Sequence, residues 1–306
     1  MKMTKRQQHW LLLGASLIMV VLMLSSLWLD LPLSQAVVNY QSYWGTVGQT
    51  IGSAPLYLVL AISGEIMLAV GLHESRRWLG LLELVGGLGL VSWQVKELVN
   101  ETSSYGLRAL ANVRSGLPVG APSQALNDGG RGTTSWELNL SWVLIVLLIT
   151  LLTQWWLAHQ SQARLHQLFW IAIFASLTVL LALAVNVGLK TIWGRYRPYE
   201  VFGHLQQFTR WDHINGPNGH RSFPSGHTMA ATLAVVFSWF VTGKGHRWVW
   251  GLGVLYSVGI GISRIAIGAH FLSDVTASFF LTAVIIDGMW NCLEWQLNRI
   301  QPPSGR

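Results

Sequence analysis

Long apolar segments alternate with short polar ones along the chain from residue 10 onward. An α-helix of about 20 apolar residues is long enough to cross the hydrocarbon core of a bilayer. The pattern therefore predicts an all-α, polytopic transmembrane helix bundle with about eight spans. The predicted spans are Trp10–Leu29, Leu56–Leu72, Trp78–Leu98, Leu138–Leu157, Leu168–Leu189, His227–Val241, Trp248–Ile267 and Phe271–Leu293, of which the second and sixth are the shortest.

The composition agrees with a membrane protein. Only 11% of the 306 residues are charged, whereas soluble domains carry about 25%. The net charge of +7 does not indicate nucleic-acid binding, because the basic residues lie in short clusters between apolar segments. The single cysteine, Cys292, excludes an internal disulfide and a cysteine metal cluster.

The basic clusters predict how the spans are oriented. If eight spans alternate, the clusters at the N-terminus, at Arg76–Arg77, at Arg164, at Lys244–Arg247 and in the tail all fall on one side. By the positive-inside rule this side is the cytoplasm. The opposite side then receives Asp30–Pro55, Val99–Glu137 and Lys190–Gly226. Within the second of these segments, Glu101–Thr134 is rich in Gly, Ser, Asn and Pro, so we expect it to be irregular.

The first span is expected to stay in the membrane as an anchor, because its apolar stretch is longer than the roughly 7–15 residues of a signal peptide core. Two acids, Glu65 and Asp287, lie inside apolar segments. Such acids are often functional, but neither has a visible partner in the sequence, and we expect each to make structural hydrogen bonds.

The first polar cluster on the predicted extracytoplasmic side is KTIWGRYRP, which carries Lys190, Arg195 and Arg197. Cations at a helix end often reach toward lipid headgroups. This side of the membrane, however, is expected to be poor in positive charge. An excess of cations here therefore also indicates a site for an anion.

The second cluster is RSFPSGHTMA. Ser225 is a suitable N-cap for a helix that begins at Gly226, and free amides at a helix start can bind phosphate. Gly226 permits close approach of a ligand to the backbone. His227 then lies in the first turn of the helix. The alternative is a capped helix with an interfacial histidine and no catalytic role.

The third cluster is SRIAIGAHFLSD, with Arg264, His270 and Asp274. His270 and Asp274 are four residues apart and share one helix face. A carboxylate behind an imidazole fixes its tautomer, as in catalytic His–Asp pairs, although a surface ion pair has the same spacing. In the sequence only one of the two histidines, His270, has a carboxylate partner. We infer two roles from this asymmetry, a nucleophile and an acid.

No metal or other cofactor is predicted. A magnesium site needs clustered carboxylates, but Glu200 and Asp212 are far apart in the sequence. Zinc needs closely spaced ligands, whereas His204, His213 and His220 are scattered along one loop.

The three clusters together resemble the signature of the type-2 phosphatidic acid phosphatase superfamily, in order and in spacing. The resemblance covers about Leu168–Leu293, and the superfamily's bacterial members usually have six membrane helices rather than about eight. It implies a helical core of that type and a metal-independent lipid phosphatase. By position, His270 is the nucleophile that forms a phosphohistidine, Asp274 orients it, and His227 protonates the leaving group. The phosphate-binding residues are then Lys190, Arg197, Ser225, Gly226 and Arg264.

The expected protein is a multi-pass phosphatase of the plasma (inner) membrane with its site on the extracytoplasmic face. Its expected partners are the bilayer and a lipid phosphate or diphosphate, namely phosphatidic acid, phosphatidylglycerol phosphate or undecaprenyl diphosphate, and not nucleic acid. Two alternatives remain open: a phosphotransferase that uses the same intermediate, and a transporter of an anionic substrate. The expected regions are an N-terminal membrane region with its polar loop (1–136), the catalytic core (137–294) and a cytoplasmic tail (295–306).

Overall fold

The structure is a computed structural model that describes residues 5–122 and 136–300, and the regular elements in these two ranges are helices. Seven helical segments in them are long and apolar enough to cross a membrane, which confirms the predicted multi-pass helical bundle. The α-helices are α1 (Lys5–Val37), α2 (Tyr43–Ile51), α3 (Ala54–His73), α4 (Arg77–Arg114), α5 (Trp136–Ala158), α6 (Gln162–Trp193), α7 (Pro198–Val201), α8 (Gly226–Thr232), α9 (Lys244–Ala266) and α10 (Leu272–Ile300).

The sixth predicted span differs from the others. It consists of α8 followed by a 3₁₀ helix, Leu233–Phe240, and is too short to count among the seven long segments. A 3₁₀ helix rises about 2.0 Å per residue against 1.5 Å in an α-helix, so the segment is stretched to roughly 26 Å. Arg164, at the start of α6, donates to the carbonyl of Phe240 at 2.9 Å. The segment therefore runs from the C-terminal end of α6 back to the level where α6 begins.

The three largest errors in the predicted boundaries lie at the C-terminal ends of helices. α1 continues to Val37, α4 continues to Arg114 and α10 continues to Ile300. The predicted loop at 30–55 thus contains the end of α1 and all of α2, and the first part of the predicted irregular segment from Glu101 is helical. The reason is that polar residues such as Asp30 and Glu101 find partners inside the protein, so they do not end the helix. Residues 123–135 of the predicted loop lie outside the described residues.

Paired glycines bring α3 and α4 into close contact. A Cβ added to Gly64 would lie 2.9 Å from the carbonyl oxygen of Gly87, and one added to Gly87 would lie 2.7 Å from the carbonyl oxygen of Gly64. Gly71 and Gly80 form a second pair of the same kind, with distances of 2.9 and 2.8 Å. Small residues at such positions allow membrane helices to pack backbone to backbone. This packing fixes where the polar end of α4 lies.

Glu65 joins α5 to the rest of the bundle. Its side chain is fully buried and accepts hydrogen bonds from Thr150 and from Gln154 at 2.7 Å, both on α5. Most of α5 is otherwise exposed on the outside of the bundle, as expected for a helix that faces lipid. The structural role predicted for Glu65 is therefore observed.

Candidate active site

The polar helix ends predicted from the sequence meet at one end of the bundle. A backbone hydrogen bond joins the second cluster to the third: the amide of Ser225 donates to the carbonyl of Asp274 at 3.0 Å. Within the third cluster, the amide of His270 donates to the carbonyl of Arg264 at 3.3 Å. Lys190 lies close enough to Arg264 and Asp274 to interact electrostatically. The second and third clusters are thus in contact, and the first lies beside them.

His270 lies in the turn between α9 and α10, and its side chain is almost completely buried. Its Nδ1 is 3.5 Å from Oδ2 of Asp274, which is too long for a strong hydrogen bond but brings the pair into electrostatic contact. Burial lowers the pKa of His270 to about 3, against the opposing effect of Asp274. The ring is therefore neutral at physiological pH, and Nδ1 faces the carboxylate.

Asp274 is held by three donors, and its carboxylate is fully buried. Oδ2 accepts from the Ser222 hydroxyl at 2.5 Å and from the Phe271 amide at 2.9 Å. Oδ1 accepts from Nη1 of Arg195 at 2.7 Å. Since a buried carboxylate needs such partners to stay charged, this arrangement fixes both its charge and its orientation toward His270.

Arg195 connects Asp274 to the first helix. Its side chain is completely buried, and its Nη2 donates to Oδ2 of Asp30 at 2.9 Å. Asp30 also accepts from the Ser273 amide at 2.9 Å and from the Ser273 hydroxyl. The face of the guanidinium lies 4.3 Å from the centre of the Phe271 ring. Neither Arg195 nor Asp30 had a predicted role in the site.

The aromatic-rich loop after α7 closes this network from behind. The carbonyl of Thr209 accepts from Nε of Arg195 at 2.9 Å. Trp211 donates to the carbonyl of Met23 in α1 at 3.0 Å and accepts from Trp193 at 2.6 Å. The loop therefore packs between α1 and the end of α6, which shields Arg195 from water.

Three cations surround the His270–Asp274 pair. Arg264 is 2% exposed, and its Nε and Nη1 have no hydrogen-bond partner among the described residues. Nζ of Lys190 donates to the carbonyl of Arg221 at 3.0 Å. Arg197 is partly exposed, and its guanidinium lies 5.8 Å from the ring centre of Tyr199. Buried donors without partners, as on Arg264, are well suited to bind a phosphoryl oxygen.

The start of α8 is as predicted. The helix begins at Gly226, and the Ser225 hydroxyl caps it by accepting from the Thr228 amide at 3.3 Å. The carbonyl of Ser225 accepts from Ser278 at 2.5 Å, which anchors this turn to α10. A Cβ at Gly226 would lie 3.9 Å from Nζ of Lys190. The Gly226 backbone and the lysine ammonium thus face the same space.

His227 has a different environment from the one the sequence suggested. Its Nε2 lies 3.0 Å from the carbonyl of Gln49 in α2 and 3.9 Å from Oε1 of Glu101 in α4. The ring of Tyr105 contacts it edge-on at 5.4 Å between centroids. The inference that only His270 has a carboxylate partner was therefore wrong. It was wrong because this partner comes from a segment predicted to be irregular.

A cleft of about 120 Å³ opens beside the cations. Its lining includes Arg197 and Arg264, together with Tyr105, Arg108 and Gln49. Its walls thus come both from the segment that carries the three clusters and from the N-terminal helices.

A helical spacing in the sequence marks the face of α4 that contacts His227 and lines the cleft. Glu101, Tyr105, Arg108 and Asn112 are separated by four, three and four residues, which places them on one helix face. That spacing was a usable signal for the missed residues. Asp30 had a weaker signal, since an acid at the end of an apolar segment is also typical of a helix that simply ends.

Among residues 5–122 and 136–300, no three His, Cys, Asp or Glu side chains are grouped as metal ligands. His220 contacts Glu200 at 3.2 Å and stacks on Tyr196. His220 thus has a carboxylate and an aromatic ring as its neighbours.

The fold and site define a multi-pass helical membrane protein with a cationic site and two histidines at one end of its bundle. Residues 170–298 match the family model described as the PAP2 superfamily. This segment thus matches the PAP2 superfamily, which confirms the family indicated by the three clusters. Together with the apolar helices, the match supports a membrane phosphatase family. Searches of curated proteins and of solved structures found no match to the chain.

Proposed function

We propose that the protein hydrolyses a phosphate or diphosphate ester of a membrane lipid through a phosphohistidine on His270. The main support is the position of His270, a buried neutral imidazole beside the Asp274 carboxylate. Its amide donates to the carbonyl of Arg264, whose guanidinium has two buried nitrogens without a partner among the described residues. Nucleophilic nitrogen, orienting carboxylate and phosphate ligand are the parts that phosphoryl transfer requires. The candidate substrates are phosphatidic acid, phosphatidylglycerol phosphate and undecaprenyl diphosphate.

In the first step Nε2 of His270 attacks phosphorus, because Nδ1 faces Asp274. The bond from phosphorus to the leaving oxygen breaks, and His227 gives that oxygen a proton. Arg264, Lys190 and Arg197, with the turn at Ser225 and Gly226, stabilise the charge on the three other phosphoryl oxygens. Asp274 stabilises the cationic phosphohistidine.

In the second step water replaces the histidine. A water oxygen bonds to phosphorus, the bond from phosphorus to nitrogen breaks, and the water proton passes to His227. Inorganic phosphate and the neutral His270 ring are regenerated, so atoms and charges balance over the cycle.

The test is phosphate release from mixed micelles of each candidate lipid, in EDTA, with the wild type and His270→Ala. We expect release that survives EDTA and disappears in His270→Ala, and a trapped phosphoenzyme that is stable in alkali but labile in acid. His213→Ala, which changes an exposed loop histidine, is the control and should match the wild type. Release that needs a divalent metal, or that persists in His270→Ala, would contradict the proposal. Adding an acceptor lipid separates hydrolysis from phosphoryl transfer.

The second proposal is that the site faces the extracytoplasmic side of the plasma (inner) membrane. Support comes from the basic clusters of the sequence, which favour the cytoplasm for the opposite end of the bundle. In a Cys292→Ser background, a cysteine at exposed Ser115, near the site, should react with an impermeant maleimide in intact cells. A cysteine at Ser75, in the loop between α3 and α4, should react only after lysis. The reverse labelling would place the site in the cytoplasm.

A further inference from the structure

A second carboxylate lies beside the second histidine, and it comes from outside the PAP2 domain. Oε1 of Glu101, on α4, is 3.9 Å from Nε2 of His227. Oε2 of the same carboxylate accepts a hydrogen bond of 2.5 Å from the Tyr57 hydroxyl on α3. Glu101 is therefore held from one side by Tyr57 while its other oxygen faces the imidazole.

The tautomer of His227 follows from its contact with Gln49. A carbonyl oxygen only accepts hydrogen bonds, so Nε2, at 3.0 Å from it, carries a hydrogen. In the neutral ring Nδ1 then holds the lone pair. His227 donates a proton from Nδ1 to a leaving group only when the ring is an imidazolium.

Most of the charge around His227 opposes an imidazolium. The cationic or titratable neighbours that act on its charge are Arg264 of α9, Arg197 before α7 and His270 before α10. From α4, Tyr105 presents a neutral ring. Glu101 is the carboxylate that lies within 4 Å of the His227 ring among the described residues.

We propose that Glu101, held by Tyr57, is a positioning residue that orients His227 and favours its protonated form for protonation of the leaving group. Each histidine of the site then has its own carboxylate: Asp274 serves the nucleophile and Glu101 serves the acid. The proposal rests on the proposed phosphatase function for its role in catalysis, but not for its effect on the charge of His227.

The glutamate is well placed for substitution, because its side chain is 25% exposed and Gln retains an acceptor for Tyr57. A matched control lies one turn earlier on the same helix, where Glu97 is exposed. Glu101→Asp serves as a second variant, since it keeps the charge but withdraws it from the ring by one carbon.

The first experiment follows the titration of His227 by NMR, using ¹³C-histidine-labelled full-length protein in detergent with inorganic phosphate. The His227 signal is assigned from its loss in His227→Gln. A carboxylate within 4–6 Å shifts a neighbouring pKa by about one unit or more. We expect the His227 midpoint to fall by about one pH unit in Glu101→Gln, to fall by less in Glu101→Asp, and to stay unchanged in Glu97→Gln. Equal midpoints in all of these proteins would overturn the proposal, whether or not the protein is a phosphatase.

The second experiment compares leaving groups. p-Nitrophenolate leaves without needing a proton, whereas a lipid alkoxide needs one. Glu101→Gln should lower kcat/KM for the lipid phosphate by about tenfold above the His227 midpoint, and change it by less than about twofold for p-nitrophenyl phosphate. An equal loss for both substrates would show a purely structural effect and would also overturn the proposal. Absence of phosphate release by the wild type would overturn the phosphatase function, while the titration would still decide whether Glu101 acts on His227.

Discussion

Asp30 in α1 and Arg195 after α6 form a completely buried ion pair of 2.9 Å, and Arg195 binds Asp274 at 2.7 Å with its other terminal nitrogen. One guanidinium is thus shared between two carboxylates. Because Asp30 takes part of its charge, Arg195 neutralises Asp274 only partly. Asp274 therefore keeps negative charge with which to stabilise a cationic His270.

Asp30→Asn should impair both stability and activity. Breaking a buried ion pair leaves an uncompensated charge and costs about 3–5 kcal/mol. We expect a clear fall in the unfolding temperature and, at a temperature where the variant is folded, a loss of kcat of at least about tenfold. Asp212→Asn is the control, because the Arg210–Asp212 pair has the same 2.9 Å distance but is about half exposed. Such exposed pairs contribute less than about 1 kcal/mol, so equal effects of the two changes would contradict the assignment.

Arg264→Ala should weaken phosphate binding, because it removes the guanidinium whose Nε and Nη1 lack partners among the described residues. A hydrogen bond to a charged group contributes about 1.5–3 kcal/mol, which corresponds to roughly 10- to 150-fold in affinity. The measurement is competitive inhibition by inorganic phosphate. Arg264→Lys should restore little of the affinity, since a lysine cannot present the two nitrogens, Nε and Nη1, that lack partners. Full recovery with lysine would show that only net charge matters, and Arg210→Ala should have no effect.

The pH dependence of stability should report the burial of His270. Its pKa in the folded protein is lowered to about 3, whereas an unfolded histidine titrates near 6.5. Between these values the unfolded chain binds the extra proton, so stability falls as the pH drops below about 6.5. At pH 5 the loss relative to neutral pH is about 2 kcal/mol.

Thermal unfolding of the wild type and His270→Asn between pH 4.5 and 7.5 checks this expectation. The variant lacks the titrating group, so its unfolding temperature should depend less on pH. Parallel pH profiles for the two proteins would mean that His270 is not buried in its neutral form.

The contact between α3 and α4 gives a matched pair of glycine substitutions. Gly87→Ala places a Cβ 2.7 Å from the carbonyl of Gly64, while Gly89, two residues later, has nothing within 4 Å of its Cβ position. We expect Gly87→Ala to destabilise the protein by about 1–3 kcal/mol and to reduce activity, because it displaces the helix that carries Glu101. Gly89→Ala should have little effect or stabilise slightly. Similar unfolding temperatures for the two variants would contradict the close packing.

The sequence predicted well those features that depend on local pattern. The apolar segments and the start of α8 at Gly226 are local, and the structure has them. The prediction that His270 and Asp274 share one helix face was wrong, because α10 begins only at Leu272 and His270 lies in the turn before it. The boundaries of α1 and α4 were not predictable in the same way. Asp30 is paired with Arg195, 165 residues further along the chain, and Glu101 lies beside His227, 126 residues further along. No short-range pattern in the sequence contains these partners, so it could not show that the two acids do not end their helices.

The candidate site could be proposed where its residues lie in motifs, and its contributions from other helices were missed. Lys190, Arg197 and Arg264 were proposed because cations at helix ends on one side of a membrane are unusual. Arg195 was visible but was given no role, because its burial against Phe271 and its two carboxylates appear only in three dimensions. Tyr57 could not have been found, since its hydroxyl acts only through the glutamate that it holds.

The shared guanidinium has a consequence for how this protein can change over evolutionary time. Asp30 lies outside the segment that matches the PAP2 superfamily, whereas Arg195 lies inside it. Neither residue can be replaced alone without burying an unbalanced charge. In related chains the two positions should therefore vary together, and a transplant of residues 170–298 onto foreign N-terminal helices should function only where the host supplies an equivalent acid.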